Sequence, residues 1–290
     1  MNRLALVRPL EEDWRDSLDA VARSRSWPTT RDATRLAARV VELSAAYNDP
    51  ARARAAMRDA GAARLGFSFA RDVPKGAGAV RELVAARALP FDRTLRVLDL
   101  GAGLGATTWG LARALAAGGF RGTLEATWVD ADVEALDLAT AILRARGGRE
   151  GPVELRARTV PAAVDGPIHA ASGRFDVVLV GQVLSELDVT STDEVRRERH
   201  AALVGSLLDD RTDVEGAVVV IEPALRDRTR HLHHVRDLLA SRGATVFAPC
   251  LHQARCPALA READWCHSGR STARSSWHQS ASRARAGHGA

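Results

Sequence analysis

The stretch Val97-Leu98-Asp99-Leu100-Gly101-Ala102-Gly103-Leu104-Gly105-Ala106 constrains this chain more than any other. The apolar run Leu95–Leu100 has the length and residue types of a buried strand. Three glycines at alternate positions follow, and a helical pattern opens at about Thr107. Strand, glycine-rich turn and helix in that order demand a sharp reversal in which the backbone comes close to a neighbour or ligand with no Cβ in the way. Such a unit suits an open α/β sheet with a nucleoside-type ligand at the carboxyl end of its first strand.

The rest of the chain is consistent with that unit. Strands are expected near 95–100, 124–130, 153–160, 175–181, 216–222 and 244–248, and helices near 107–117, 132–146, 193–209 and 228–241. Alternation of this kind implies a parallel sheet with right-handed crossovers. Gly147-Gly148, Asp165-Gly166-Pro167 and Ser241-Arg242-Gly243 punctuate it. Residues 1–90 read as a mostly helical region, with Leu18, Val21 and Ala22, then Leu36, Val40, Val41 and Leu43, at helical spacing. Breaks are expected at Trp27-Pro28-Thr29-Thr30, with Thr30 as cap of the next helix, at Asn48-Asp49-Pro50, and at Arg71–Gly76 ahead of a helix near 77–88. The sheet domain is expected over 91–248 and a compact segment holding all three cysteines over 249–267. Residues 268–290 are rich in Ser, Arg, Ala and His with no Val, Ile or Leu, and predict a disordered tail.

Composition narrows the function classes. Hydrophobic residues make up 46% of the chain and aromatics only 4%, so the core is expected to be Leu, Val and Ala. Lys75 is the only lysine, and arginine supplies the remaining basic residues. That bias, with abundant alanine, looks like a GC-rich coding sequence, so arginine content alone says little about RNA. The net charge is +5, and removing the four arginines of residues 268–290, which contain no acid, leaves +1. No chain-wide electrostatic case for nucleic acid survives, and none for DNA. No apolar run approaches the ~20 residues that span a bilayer. The acidic Glu11-Glu12-Asp13 fits neither a signal nor a transit peptide, so the chain reads as cytoplasmic. Three cysteines within 250–266 are no extracellular disulfide framework.

The glycine spacing is Gly-x-Gly-x-Gly, not the Gly-x-Gly-x-x-Gly of dinucleotide folds, and Asp99 stands two residues before the first glycine. An acid there repels a pyrophosphate and can attract the ammonium of a methionine moiety. The stretch resembles motif I of the class I S-adenosylmethionine-dependent methyltransferases. That resemblance implies a Rossmann-like fold and S-adenosylmethionine as cofactor, with Asp99, Gly101, Gly103 and Gly105 in its site. Asp130 closes the next strand, where an acid accepts hydrogen bonds from ribose hydroxyls. Asp132 is the alternative, although it also suits a helix N-cap.

The strand 175–181 leads into Gln182-Val183-Leu184, beside the place where methyl transfer occurs in that fold. The Asn-Pro-Pro-Tyr of base amino-group methylases is absent, which argues against that chemistry. Gln182 is a candidate cofactor or substrate contact, or a satisfied loop residue. Glu222 is either a general base or the partner of an arginine on the next helix, and His231, His233 and His234 read as surface residues.

Cys250, Cys256 and Cys266 are spaced C-x5-C-x9-C, with His252 and His267 alongside. Thiolates so grouped suggest a metal or iron–sulfur site, though three do not complete a four-ligand cluster and reduced structural cysteines are the alternative. Motif I, Leu184-Ser185-Glu186-Leu187, Ile221-Glu222-Pro223, Pro249-Cys250, Cys256-Pro257 and Asp264-Trp265-Cys266-His267 together resemble one family, the methyltransferase-like proteins of the small ribosomal subunit. Arg71-Asp72-Val73-Pro74 adds to the likeness, which covers about residues 30–267. The resemblance implies a partner in the small subunit and its 16S rRNA, and a [4Fe–4S] cluster whose first three ligands match Cys250, Cys256 and Cys266. The family's fourth cysteine has no counterpart here, and the tail composition suggests a frameshift or truncation soon after Cys266.

Three functions are compatible with these residues. The first is a methyltransferase acting on ribosomal RNA or a small-subunit protein. The second is an assembly factor that binds S-adenosylmethionine without turnover. The third, a small-molecule methyltransferase, leaves the cysteine segment without a role.

Overall fold

The computed structural model describes residues 7–47, 60–166 and 172–267, with the backbone alone over 44–47. The 268–290 tail and the Asn48–Pro50 break therefore lie outside the described residues.

A mixed α/β architecture is built on one sheet. The helical N-terminal region holds α1 (Glu12–Ser24), α2 (Ala33–Tyr47), α3 (Gly61–Ala63), a π-helical turn Arg64–Phe69, α4 (Ala70–Ala79) and α5 (Arg81–Ala85). The sheet region runs β1 (Leu95–Leu100), α6 (Ala106–Ala117), β2 (Thr123–Asp130), α7 (Val133–Ala145), β3 (Arg149–Glu150), β4 (Val153–Pro161), β5 (Phe175–Gly181), α8 (Asp193–Ser206), β6 (Thr212–Ile221) and α9 (Arg226–Ser241). The strand order is β3-β4-β2-β1-β5-β6, parallel throughout except for the short β3–β4 pair. This is an open, doubly wound α/β sheet.

Period-two alternation splits the strands between two cores. Leu95, Val97, Leu124, Trp128, Val177 and Leu179 face α4, α6, α7 and the N-terminal helices. Leu98, Leu100, Val129, Val178 and Val180 face the opposite side with Leu184 and Leu207. Burial on both faces explains why β1 and β5 read as near-continuous apolar runs. Asp176 is the exception in β5. It is 2% exposed and is satisfied by the Arg96 N–H at 2.7 Å and by both Nη atoms of Arg93 at 3.0 and 2.5 Å.

The N-terminal region is fastened by aromatic and backbone contacts. Trp14 packs edge-on to Trp109 at 4.8 Å and donates to Glu150 Oε2 at 2.9 Å. Helices α4 and α6 cross backbone to backbone at Gly76 and Gly110, where a Cβ on Gly110 would stand 2.6 Å from the Ala77 nitrogen. That crossing accounts for one departure from expectation: 71–76 lies inside α4, with Pro74 in the helix, and the predicted 77–88 helix is divided between α4 and α5. Thr30 does not cap α2. Its N–H and hydroxyl donate to buried Asp19 at 2.7 Å each, and Asp32 Oδ1 accepts the Arg35 N–H instead.

No strand forms at 244–248, contrary to expectation. A strand needs a ladder partner, and β6, the edge of the sheet, pairs only with β5 among the described residues. Val246 instead exchanges both backbone hydrogen bonds with the Gln253 side-chain amide, at 2.9 Å each.

Candidate functional site

The turn after β1 is left-handed at all three glycines, with φ of +65° at Gly101, +51° at Gly103 and +78° at Gly105. A Cβ on Gly101 would overlap a Val183 methyl, and one on Gly105 would stand 2.9 Å from the Trp128 ring. Those two glycines let the turn seat against its own fold. Gly103 differs, for among the described residues only the Arg64 guanidinium lies near it. The turn is closed by Ala102 N–H to Val129 O at 3.0 Å and Gly105 N–H to Ala102 O at 2.7 Å.

Two strand-end carboxylates flank this turn. Asp99 is 1% exposed. Its Oδ2 accepts the Thr108 hydroxyl at 2.6 Å, and that hydroxyl accepts the Trp128 indole N–H at 3.0 Å. Its Oδ1 is buried with no protein partner among the described residues. Burial, opposed by the Thr108 hydrogen bond and assisted by the charge of Asp130, pushes the Asp99 carboxyl up to about 7. Asp130, at the end of β2, accepts the Gly103 N–H at 2.7 Å and the Asp132 N–H at 2.8 Å. It therefore holds the middle of the glycine turn.

Asp132 is the N-cap of α7, accepting the Ala135 N–H at 3.1 Å, and its other oxygen takes the Arg64 guanidinium at 2.5 Å. Burial pushes Asp132 up, yet the hydrogen bond from Arg64 and the capping N–H hold it below the ordinary carboxylate range. Neither Arg64 nor Glu186 is expected at the site from the sequence. Burial and the neighbouring Asp130 raise the Glu186 carboxyl, with Arg64 and Arg228 opposing. No local pattern announces Arg64, which reaches the turn from the π-helical segment of the N-terminal region. Segments of that geometry recur at functional positions.

Gln182 adopts φ +61° and donates its backbone N–H to Ile221 O at 2.6 Å, which ties the ends of β5 and β6 together. Glu222 makes no arginine pair among the described residues. Its Oε1 accepts the Leu184 N–H at 2.9 Å, and its Oε2 is buried without a partner. Burial raises its carboxyl above the usual range, with Ser185 and the 184–185 backbone opposing. Ser185 and Glu222 form part of a cleft of about 810 Å³ that opens past the carboxyl ends of β5 and β6, between α8 and α9. His231 and His234 line it. The three histidines of α9 are half-buried, not surface residues. His231 Nε2 lies 2.8 Å from Nδ1 of buried His200, and His233 Nε2 lies 3.1 Å from Cys266 O.

The cysteines do not come together. Cys256 is buried with its N–H on the Asp237 carboxylate, Cys250 is half-buried and Cys266 is exposed. Among the described residues no three His, Cys, Asp or Glu side chains are placed to hold a metal. The segment is pinned another way, by arginines of α9 bonding its carbonyls: Arg230 takes Ala258, Arg261 and Asp264, and Arg236 takes His252 and Ala254. The donor set present therefore does not fit the [4Fe–4S] cluster that the resemblance implies.

Known proteins resemble the chain at several levels. A methyltransferase from Clostridium acetobutylicum, dependent on S-adenosylmethionine, is 16% identical at a TM-score of 0.35, covering 50% of this chain and 48% of its own. The rRNA methyltransferase AviRa of Streptomyces viridochromogenes is 18% identical at 0.33, over 51% of this chain and 72% of its own. The plantazolicin methyltransferase BpumL, solved with S-adenosylhomocysteine, is 15% identical at 0.36, over 68% and 62%. The chain thus spans about half the length of the first of these. No curated protein matches it. The family described as mitochondrial small ribosomal subunit Rsm22 matches residues 79–288, from α4 through the sheet and beyond the cysteine segment. With that match covering well over half of its length, the chain belongs to the Rsm22 family.

Proposed function

We propose that this protein binds S-adenosylmethionine at the glycine turn and acts as a methyltransferase on the RNA of the small ribosomal subunit. The observation that carries the reading is the turn itself: three left-handed glycines held between Asp99, with an orphaned buried oxygen, and Asp130. A buried carboxylate oxygen with no protein partner suits a cationic ligand group, here the ammonium of the methionine moiety. Asp130 sits where ribose hydroxyls hydrogen-bond an acid, and to do so it needs a lone pair beyond those that accept Gly103 and Asp132. Gly103 supplies the approach without a Cβ. Gln182 follows β5, which pairs with β1, and its neighbour Val183 abuts Gly101.

When bound, the cofactor supplies an electrophilic methyl group; the chain supplies position and charge. Membership of the Rsm22 family supports the small subunit as partner. The test is calorimetric titration with S-adenosylmethionine of the wild type, Asp99→Ala and Asp130→Ala, followed by transfer of labelled methyl to small ribosomal subunits. Loss of binding in both variants, with label entering RNA in the wild type, is the expected result.

A second reading has one observation in its favour. Gly181-Gln182-Val183-Leu184 offers no acid, amide–proline pair or nucleophile positioned for catalysis on known patterns. An assembly factor that binds the cofactor without turnover needs none. Binding without transfer in the same experiment decides for it.

A further inference from the structure

The cleft between α8 and α9 contains a set of titratable groups outside the cofactor turn. His200 of α8 is 1% exposed, and its Nε2 is buried, with the Asp188 carboxylate 3.5 Å away as its nearest ionic neighbour. Asp188 is itself held at φ +52° and fixed by Arg199 at 2.5 Å. On the other side of the ring, His200 Nδ1 faces His231 Nε2 at 2.8 Å.

The Asp188 charge favours one of the two proton arrangements that the 2.8 Å contact allows. A neutral imidazole carries one N–H and one lone pair. Beside a carboxylate, the favoured arrangement for His200 is N–H on Nε2 and the lone pair on Nδ1. Across 2.8 Å that lone pair must meet a hydrogen, so His231 carries its N–H on Nε2. The remaining nitrogen of His231, Nδ1, is then a bare lone pair on a residue that lines the cleft. Both rings are held neutral: burial lowers the two imidazoles, Arg196 adds to this in each, and Asp188 and Asp193 oppose, leaving His231 at about 4.

We propose that His231 is the proton acceptor for an N–H or O–H nucleophile bound in this cleft, with His200 and Asp188 as positioning residues that keep its Nδ1 unprotonated. The inference rests on the cofactor reading above, because it takes the methyl donor to lie at the glycine turn. The two regions adjoin through the loop after β5. The Val183 methyl abuts Gly101, the Leu184 N–H donates to Glu222, and Ser185 lines the cleft. As the nucleophile's nitrogen or oxygen bonds to the methyl carbon, the carbon–sulfur bond breaks and its electron pair stays on sulfur. The displaced proton passes to His231 Nδ1 and from there to solvent through the open cleft.

The tautomers are read directly by long-range ¹⁵N–¹H correlation on the full chain at neutral pH. Expected are His200 and His231 both protonated on Nε2, and a shift of His231 toward Nδ1–H in Asp188→Ala. His231→Gln is then expected to slow labelled methyl transfer to small ribosomal subunits by about 100-fold, the lower end for a general base, with calorimetric affinity for S-adenosylmethionine unchanged. Wild-type His231 protonated on Nδ1 overturns the proposal, and so does transfer by His231→Gln within a factor of two of wild type. Cofactor binding with no transfer by the wild type also overturns it while sparing the cofactor site. Failure of the wild type to bind the cofactor sinks the earlier reading itself.

Discussion

Asp99→Asn separates the two costs that meet at the glycine turn. An acid that titrates near 7 in the fold instead of 3.8 is disfavoured as an anion by about 4 kcal/mol, at ~1.4 kcal/mol per pH unit. The folded chain keeps a proton that the unfolded chain has lost, so stability falls as pH rises from about 4 to about 7 and is level above that. Asparagine preserves the acceptor for Thr108 and removes the charge. Its stability relative to wild type is therefore expected to be near zero at pH 4 and to grow to at most about 4 kcal/mol above pH 7. Cofactor binding moves the opposite way. An ammonium beside Asp99 favours the carboxylate, so wild-type affinity rises between pH 6 and 8 with release of a proton. The variant loses that pH dependence and about 10- to 100-fold in affinity, as for a lost hydrogen bond to a charged group. Urea unfolding and calorimetry at pH 4, 6 and 8 measure both. A variant less stable than wild type at pH 8, or wild-type affinity flat from pH 6 to 8, refutes the reasoning.

Other perturbations test the frame around the site. Gly110→Ala drives a Cβ into the backbone of α4, and a loss of about 2 kcal/mol or more is expected in urea unfolding, as for overpacking that only backbone movement can relieve. Gly105→Ala meets both the Trp128 ring and a φ of +78°, and about 1–3 kcal/mol of destabilisation, with weakened cofactor binding, is expected by calorimetry and thermal melting. His231 falls to about 4 in the fold from its ordinary 6.5, so its contribution to stability is present above pH 6.5 and lost as pH falls toward 4. Because the ring is only partly buried, solvent screening reduces that contribution to about 1–2 kcal/mol, read as the difference between wild type and His231→Gln across pH 4–7. Asp176→Ala removes the acceptor of the Arg96 N–H and of Arg93, and a loss of about 2–3 kcal/mol is expected in denaturant unfolding.

What the residues announce and what they conceal follows from the range of the interactions involved. The sheet was legible because burial on both faces of a parallel strand demands continuous apolar runs, as in Leu95–Leu100 and Phe175–Gly181. The turn was legible because positive φ at 101, 103 and 105 selects glycine. Those are local requirements. Pro74 and Gly76 misled because a breaker's local preference yields to a close helix crossing that only Gly110, far along the chain, makes possible. The 244–248 strand failed for the same kind of reason, since a strand exists only if a partner offers its edge. In the sequence, Asp99 and Asp130 are each marked by the end of a strand; Arg64 and the His200–His231 pair carry no such mark. A guanidinium brought to Asp132 from the N-terminal helices, and two rings on different helices meeting at 2.8 Å, are products of packing. Five parallel strands, the turn and the two acids that flank it were written in the residues, because backbone sterics and strand burial act within a few residues. The upward shift of Asp99, the downward shift of His231 and the failure of the three cysteines to gather arise only on folding, because burial and proximity to distant charges do not exist in the extended chain.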